Sequence, residues 1–152
     1  MIRSESSACF HFFNLCQCCP RKFYIRYLKG WKPRMTAKPL VQGGAFHEGT
    51  AVFYLTKSEK KALKTAQEYV EECKPEMTSE DYEEVQFRVP HLVSTWIERF
   101  GKRDLIQYKI LQVEQELIVP LPGTSFRITI RPDAIIQDKD SGYVFILERK
   151  TS

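Results

Sequence analysis

Length, composition and charge restrict the kind of protein that this sequence can form. A chain of 152 residues with 43% hydrophobic and 28% charged residues suits one folded domain and excludes a second full one. The net charge of +4 comes from 23 basic and 19 acidic residues, a mild bias that permits nucleic acid as a partner. The apolar runs are short and no signal-peptide pattern is found, so we expect a cytoplasmic protein without a membrane partner.

Aromatic residues are frequent near the start of the chain. Between residues 7 and 28 the pattern predicts two short helices, which separate at Cys19-Pro20 because the residue before a proline resists the helical conformation. A loop is predicted next, marked by Gly30, Pro33 and Pro39.

Three helices are predicted in the middle of the chain. Apolar residues between 44 and 55 indicate a buried helix, and Ser58 is expected to cap a second one whose apolar residues recur at helical spacing. The third begins at Thr78 or Ser79. Pro90 predicts a kink or a break inside it, and Gly101 predicts its end.

The last third of the chain has the composition of strands. Residues 110–119, 126–131, 134–136 and 143–149 are rich in β-branched or aromatic residues and are separated by turn residues. The last of these runs is apolar on both faces, which predicts a central strand that is covered on each side. Helices followed by strands indicate an α/β or mixed α+β domain.

Two acidic residues and a lysine lie at predicted strand ends. Asp133 ends one run, and Glu148-x-Lys150 follows 15 positions later at the end of the next strand. Alternation along a strand places Glu148 and Lys150 on one face and Arg149 on the other. We therefore expect the Glu148 and Lys150 side chains to point to the place where Asp133 also arrives.

These residue types suit the hydrolysis of a phosphodiester bond. Two carboxylates offer oxygen ligands for Mg²⁺ or Mn²⁺, and a hard cation polarises the phosphoryl group. The backbone carbonyl of Arg149 is a further candidate ligand. The ammonium group of Lys150 can orient or deprotonate the attacking water and offset the charge that builds on the phosphate.

The same residues resemble a known nuclease motif. Arg131-Pro132-Asp133, followed by the apolar run 145–147 and by Glu148-x-Lys150, is similar to the motif of the PD-(D/E)xK nuclease superfamily. A second segment well upstream, GGAFHE at residues 43–48, looks like the G-x-x-x-H-E helix start of RecB-like nucleases.

On this resemblance His47 is a metal ligand. The side chains of His47, Asp133, Glu148 and Lys150 are then expected to converge in one cleft. Because a shared ion needs its ligands close together, this convergence is the structural consequence of the resemblance.

A third segment, CPRKFY at residues 19–24, resembles the C-P-x-x-F/Y segment of AddB-like helicase-nucleases and, more loosely, of CRISPR-associated Cas4 proteins. In these relatives one N-terminal cysteine joins three C-terminal ones around an iron–sulfur cluster, and Cys19 matches the first position. No such trio follows Lys150, so the cluster is expected only if the natural chain is longer. Otherwise the thiols between Cys9 and Cys19 are interpreted as reduced, buried, small hydrophobic groups.

The resemblance covers nearly the whole chain. It implies a restriction-endonuclease-like core, in which helices flank a central mixed β-sheet behind a helical N-terminal part. The family usually continues with a helix that carries a Q-x-x-x-Y motif, whereas this sequence stops at Ser152. We therefore expect a single nuclease domain over 1–152, truncated after the E-x-K motif, with apolar surface left uncovered at one sheet edge.

Two features keep two interpretations each. Glu116, on the predicted strand 110–119, is either an acid near the site or part of a solvated strand face. Basic and aromatic residues alternate between residues 21 and 34, as in a groove for DNA or on the solvated face of a helix. The DNA contacts predicted there are Arg21, Lys22, Tyr24 and Arg26.

The sequence thus predicts a Mg²⁺- or Mn²⁺-dependent deoxyribonuclease, acting as an exonuclease on single-stranded DNA or duplex ends. Its expected setting is DNA repair, recombination, phage DNA processing or CRISPR adaptation, with a helicase, recombination or CRISPR-adaptation partner. One alternative is a DNA-binding or assembly module of the same fold with weak or absent hydrolysis. Another is a small metal-binding protein organised by the N-terminal thiols, which chelation would unfold.

Overall fold

The structure is a computed structural model that describes residues 7–8, 10–125 and 127–149. The chain forms two compact units, Met1–Pro33 with Glu116–Arg131 and Arg34–Gln115 with Pro132–Ser152. Four residues that figure in the sequence predictions, Cys9, Phe126, Lys150 and Ser152, lie outside the described residues.

Helices make up most of the regular structure in the described ranges. They are α1 (Phe10–Cys18), α2 (Pro20–Phe23), α3 (Lys38–Thr56), α4 (Glu59–Cys73), α5 (Ser79–Trp96) and α6 (Lys102–Gln107). The strands are β1 (Ser7–Ala8), β2 (Tyr108–Val113), β3 (Leu117–Pro120), β4 (Arg127–Ile130), β5 (Ala134–Asp138) and β6 (Val144–Leu147). Short π- or 3₁₀-helical segments are Tyr24–Leu28, Lys74–Glu76 and Ile97–Gly101.

The first unit combines α1 and α2 with a small sheet. The two helices separate at Cys19, as predicted, and Pro20 opens α2 because a proline suits the first turn of a helix. Phe12, Phe23 and Tyr27 pack together with ring centroids 4.7 to 5.4 Å apart. In the sheet β4 lies between a parallel β1 and an antiparallel β3.

In the second unit α3, α4 and α5 pack around an apolar core. Ser58 and Thr78 cap α4 and α5 as predicted, since each hydroxyl accepts a hydrogen bond from the backbone N–H three residues later. Pro39 lies in the first turn of α3 and not in the predicted loop, because the N–H that proline lacks has no partner there anyway. The most deeply buried helical residues of this core are Ala45, Ala62, Ala66, Val85, Val89, Val93 and Ile97.

The last long helix continues past two positions at which the sequence predicted an interruption. It runs through Pro90 without a break, since Val89 and Val93 on either side of the proline are buried in the core, and a kink there stays a prediction. Helical structure also continues past Gly101 into α6, so the predicted helix end is wrong. Gly101 has an ordinary helical φ of −56°, and a Cβ there would lie 2.8 Å from the Phe53 ring. Glycine is therefore required here by close packing against Phe53 and not by the end of a helix.

The sheet of the second unit is antiparallel, in the order β2-β5-β6. Its central strand, β5, pairs Ala134 with Val113 of β2 on one side and with Leu147 of β6 on the other. Ala134 and Ile136 are buried and belong to the same core as the helices. The sheet therefore rests on the helical layer through β5.

Two strand predictions are corrected by this arrangement. Among the described residues β6 pairs only with β5, so it lies at an edge of the sheet and not in the predicted central position, and its residues Val144, Phe145 and Ile146 are exposed. The predicted strand 110–119 is divided into β2 and β3, because Glu114 takes a left-handed φ of 49° that a continuous strand does not accommodate.

The predicted α/β class with a helical N-terminal part is confirmed, with the described strands divided between two three-stranded sheets. The single domain over 1–152 and its truncation stay predictions. Within the described ranges, no helix has both the length and the apolar character that crossing a membrane requires.

The core of the second unit yields a test with a matched control. Ile97 is fully buried, whereas Ile106 is 77% exposed. We expect Ile97→Ala to lower the free energy of unfolding by about 2–4 kcal/mol, because it removes buried methyl groups and leaves a cavity. Ile106→Ala should change it by less than about 0.5 kcal/mol in urea unfolding. Equal effects of the two substitutions would contradict the packing described here.

Candidate metal centre

The candidate site lies at the N-terminal end of β5, where Asp133 precedes the strand. The backbone N–H of Glu114, just after β2, donates a hydrogen bond to the Asp133 carbonyl at 3.2 Å. On the other side, the backbone N–H of Arg149, just after β6, donates to the Asp133 carboxylate. Continued at the same register, the strands place Glu114 and Glu148 opposite Asp133. Three acidic residues therefore flank the ends of three neighbouring strands, all at the same end of the sheet.

Helix α3 contributes the fourth residue, His47. Its Nδ1 lies 3.2 Å from Asp133 Oδ1 and 3.5 Å from Glu114 Oε1. His47 follows the buried Phe46, whose ring packs on Trp96 with centroids 6.1 Å apart. The packing of α3 on the core thus fixes where the imidazole meets the sheet.

These groups fit a divalent cation. One nitrogen and two carboxylate oxygens, from His47, Glu114 and Asp133, all lie within 4.8 Å of one another. Neighbouring ligands of an octahedral ion with bonds of about 2.1 Å are about 3 Å apart, which is close to the separations observed here. His47 Nδ1 is buried and makes no hydrogen bond of good geometry, although Asp133 lies beside it. These ligand atoms therefore suit a metal ion better than they satisfy one another's need for hydrogen bonds.

Electrostatics keep Asp133 ionised. Burial acts to raise the pKa of Asp133, but the contacts with His47 and with the Arg149 N–H outweigh it and hold the pKa below the ordinary 3.8. The contact with Asp133 raises the pKa of His47 above 6.5, against the opposing effect of burial. Without a metal, the two side chains thus favour an ion pair.

Arg149 is a buried residue that contacts Asp133. Its side chain is 8% exposed, and its guanidinium lies 4.9 Å from the centroid of the Tyr54 ring and 5.0 Å from that of the Trp96 ring. Its Nη2 donates to the Asp133 carbonyl at 3.4 Å. Burial lowers the pKa of Arg149, yet an arginine stays charged because its ordinary pKa is so high. A buried cation therefore stands directly behind the Asp133 carboxylate.

A second buried polar pair continues this support. The Tyr54 hydroxyl donates a hydrogen bond of 2.8 Å to Asp104 at the start of α6. Burial, together with this bond, raises the pKa of Tyr54, so the phenol remains protonated and acts as a donor. The Tyr54 ring that contacts Arg149 is thus hydrogen-bonded to a residue of α6.

The structure brings together some of the predicted site residues. His47 and Asp133 adjoin, whereas Glu148 is exposed and is not in the group of ligand atoms within 4.8 Å. Lys150 is outside the described residues. The carbonyl of Glu148 belongs to the same peptide as the Arg149 N–H, so the Glu148 backbone lies beside the Asp133 carboxylate. The roles of all the predicted site residues, His47 and Asp133 included, stay predictions.

Glu114 is the residue that the sequence analysis missed. The acid considered on this predicted strand was Glu116, but Glu116 is exposed and follows the end of β2. Two residues apart, the two acids share a face in any regular strand, so alternation cannot choose between them. An acid near the site was considered on this strand, but at Glu116.

The predicted residues of the first unit are accessible. Arg21, Lys22, Tyr24 and Arg26 are all exposed on α2 and the segment after it. Cys19 is also exposed, as are Cys16 and Cys18, and all three are free thiols, so their interpretation as buried groups is wrong. Among the described residues these thiols do not converge into a group of three metal ligands. An iron–sulfur role for Cys19 stays a prediction.

Comparison with known proteins gives one finding. A family model described as the PD-(D/E)XK nuclease superfamily matches residues 13–152, which is most of the chain. No match to a curated protein or to a solved structure reaches significance. The family suspected from the motifs is thereby confirmed, and its RecB-like branch stays a prediction.

The ion pair between His47 and Asp133 predicts a pH-dependent stability in the metal-free protein. Because the pKa of His47 is raised from 6.5, its contribution is present below that pH and is lost as the pH rises through the raised pKa. The Asp133 contribution is lost only as the pH falls through a pKa below 3.8. We expect His47→Gln to lower Tm more at about pH 6 than at about pH 9, in chelator.

His91 supplies the control for this measurement, since it is an exposed histidine in the same unit. His91→Gln should leave Tm unchanged at both pH values. A Tm loss in His47→Gln that is equal at both pH values, or larger at high pH, would contradict the ion pair.

Arg149 predicts a large loss of stability when its charge is removed. Arg149→Met keeps much of the side-chain volume but leaves Asp133 without its cation, so we expect a loss of about 3 kcal/mol. Arg88→Met is the control, because Arg88 is exposed and makes a surface ion pair with Glu84 whose loss costs about 0.5 kcal/mol. Urea unfolding of both variants measures the difference. Equal losses would mean that Arg149 does not stabilise the site.

Proposed function

We propose that this chain, which belongs to the PD-(D/E)XK nuclease superfamily, is a divalent-metal-dependent deoxyribonuclease. Membership in this superfamily makes nucleic acid its substrate class and phosphodiester hydrolysis its expected reaction. The observation that carries the proposal is the group formed by His47, Glu114 and Asp133, whose ligand atoms lie within 4.8 Å of one another. A catalytic metal is the simplest reason for one imidazole and two carboxylates to share so small a space.

The donor set favours Mg²⁺ or Mn²⁺. Carboxylate oxygens suit both ions, and an imidazole nitrogen suits Mn²⁺ better than Mg²⁺. His47, Glu114 and Asp133 would hold the ion, with Glu148 and the Arg149 carbonyl as further ligands from the neighbouring strand end. When bound, the ion supplies Lewis-acid polarisation of the phosphoryl group.

The protein groups divide the remaining work. Asp133 stays ionised and fixed in place, because the Arg149 N–H holds its carboxylate and the Arg149 guanidinium lies behind it. His47 is held by its helix and offers a nitrogen once it is deprotonated. Lys150, two residues beyond Glu148, orients the attacking water and offsets the charge that develops on the phosphate.

The finer features of the activity follow from the motif resemblance. We propose a RecB-like exonuclease that acts on single-stranded DNA or duplex ends, in which residues 1–152 form one nuclease domain. The exposed Arg21, Lys22, Tyr24 and Arg26 are its proposed DNA contacts. Repair, recombination, phage DNA processing or CRISPR adaptation is the proposed setting, with a helicase or another enzyme of these processes as partner.

A second candidate function is a DNA-binding or assembly module with weak hydrolysis. The exposure of Glu148 favours it, because the motif places its second acid on the metal. Cleavage that depends on added Mn²⁺ distinguishes the enzyme from the module.

Glu114 and Glu116 allow a matched test of the nuclease. Glu114→Gln removes a proposed ligand charge, so we expect Mn²⁺-dependent cleavage of end-labelled DNA to fall by about 100-fold or more. Glu116→Gln makes the same chemical change two residues away and should cleave at the wild-type rate. Binding of DNA in chelator should be equal in both variants. Wild-type cleavage by Glu114→Gln would remove Glu114 from the metal site.

Lys150→Ala extends the same assay to the motif lysine. Cleavage should be lost while DNA binding persists, since binding rests on distributed cations and the chemistry on the metal site. A Lys150→Ala variant that cleaves at the wild-type rate would remove this lysine from the mechanism.

A further inference from the structure

The first unit contains a cleft that the metal site does not use. It has a volume of about 380 Å³ and lies among residues 19–33. Four of its lining residues are cations, Arg21, Lys22, Arg26 and Lys32, and the apolar part of its wall includes Ile25 and Trp31. The cleft thus joins an apolar wall to a rim of positive charge.

The charge of the chain is concentrated in this unit. Met1–Pro33 and Glu116–Arg131 contain eight basic and two acidic residues, which leaves 15 basic and 17 acidic residues for the other unit. No acidic residue occurs between Glu5 and Glu48. A polyanion is therefore attracted to the first unit and not to the chain as a whole.

Trp31 is the most exposed aromatic side chain at the cleft. Its relative exposure is 69%, whereas Phe23 and Tyr27 are packed with Phe12 inside the unit. The Trp31 backbone is fixed by a hydrogen bond of 3.1 Å from its N–H to the Ile25 carbonyl. Gly30 supports this turn with a φ of +70°, a conformation that favours glycine. The indole is thus held at the surface by an ordered turn.

We propose that this cleft binds single-stranded DNA, with one base stacked on Trp31 and the flanking phosphates on Arg21, Lys22, Arg26 and Lys32. An exposed indole beside several cations matches the two parts of a single strand, a flat base and an anionic backbone. A duplex buries the faces of its bases, so it can use the cations but not the indole. The inference names the substrate class of the proposed nuclease, but the binding itself needs no metal.

Binding to the full chain in chelator tests the cleft independently of cleavage. We measure fluorescence anisotropy with a labelled oligo-dT and with a duplex of equal length. Trp31→Ala should weaken oligo-dT binding by about tenfold and leave duplex binding unchanged, because stacking on one aromatic ring is worth roughly 1–3 kcal/mol per base. Trp31→Phe should restore part of the affinity. Tyr143→Ala, which removes an exposed aromatic of the other unit, should have no effect.

The cations give a second readout. Lys32→Gln should reduce the slope of log affinity against log salt by about 0.7 for a single strand, whereas Lys64→Gln, an exposed lysine of the other unit, should not. Unchanged oligo-dT binding in Trp31→Ala overturns the proposal. Equal weakening of single-strand, duplex and poly-glutamate binding also overturns it, because it would reveal a general site for acidic polymers. If the wild-type protein binds oligo-dT in a Trp31-dependent manner but does not cleave DNA, only the nuclease proposal is contradicted.

Discussion

The buried carboxylate of Asp133 is the group on which the rest of the site depends. A buried charge persists only where neighbouring groups stabilise it, and here these come from two elements. The Arg149 N–H after β6 donates to the carboxylate, and His47 of α3 faces it. The N–H of Glu114 after β2 fixes the Asp133 backbone by donating to its carbonyl. The carboxylate therefore couples the sheet to the helical layer, and any change that moves one of these elements changes the charge balance of the site.

The buried guanidinium of Arg149 offsets part of the free-energy cost of burying the Asp133 carboxylate. The stack on Tyr54 and Trp96 holds a cation where water is excluded, and an arginine tolerates this position because its charge is spread over a planar group. The same residue offers its backbone N–H to Asp133. Asp133 is thus kept ionised by its contacts with His47, with the Arg149 N–H and, more weakly, with the buried guanidinium.

Local sequence signals predicted much of this structure, and they were inadequate where long-range pairing decides. The caps Ser58 and Thr78 and the break at Cys19 depend on chemistry within a few residues, and all three are found. The proximity of Asp133 and His47 was expected from the motif resemblance, and their roles as ligands stay predictions. Glu114 was missed because only the register between β2 and β5 selects it, and β6 was placed wrongly because apolar composition does not reveal how many neighbours a strand has. Gly101 was misread because its close approach to Phe53 is a tertiary contact.

The central claim is that His47, Glu114 and Asp133 hold one divalent ion. Anomalous diffraction from crystals soaked in Mn²⁺ tests it most directly, since the signal locates manganese without reference to activity. We expect a peak bonded to His47 Nδ1 and to an oxygen of each carboxylate at about 2.1–2.3 Å, with the ion pair between His47 and Asp133 replaced by the metal. No peak at this site, or a peak that Glu148 holds while His47 and Glu114 remain apart from it, would contradict the claim.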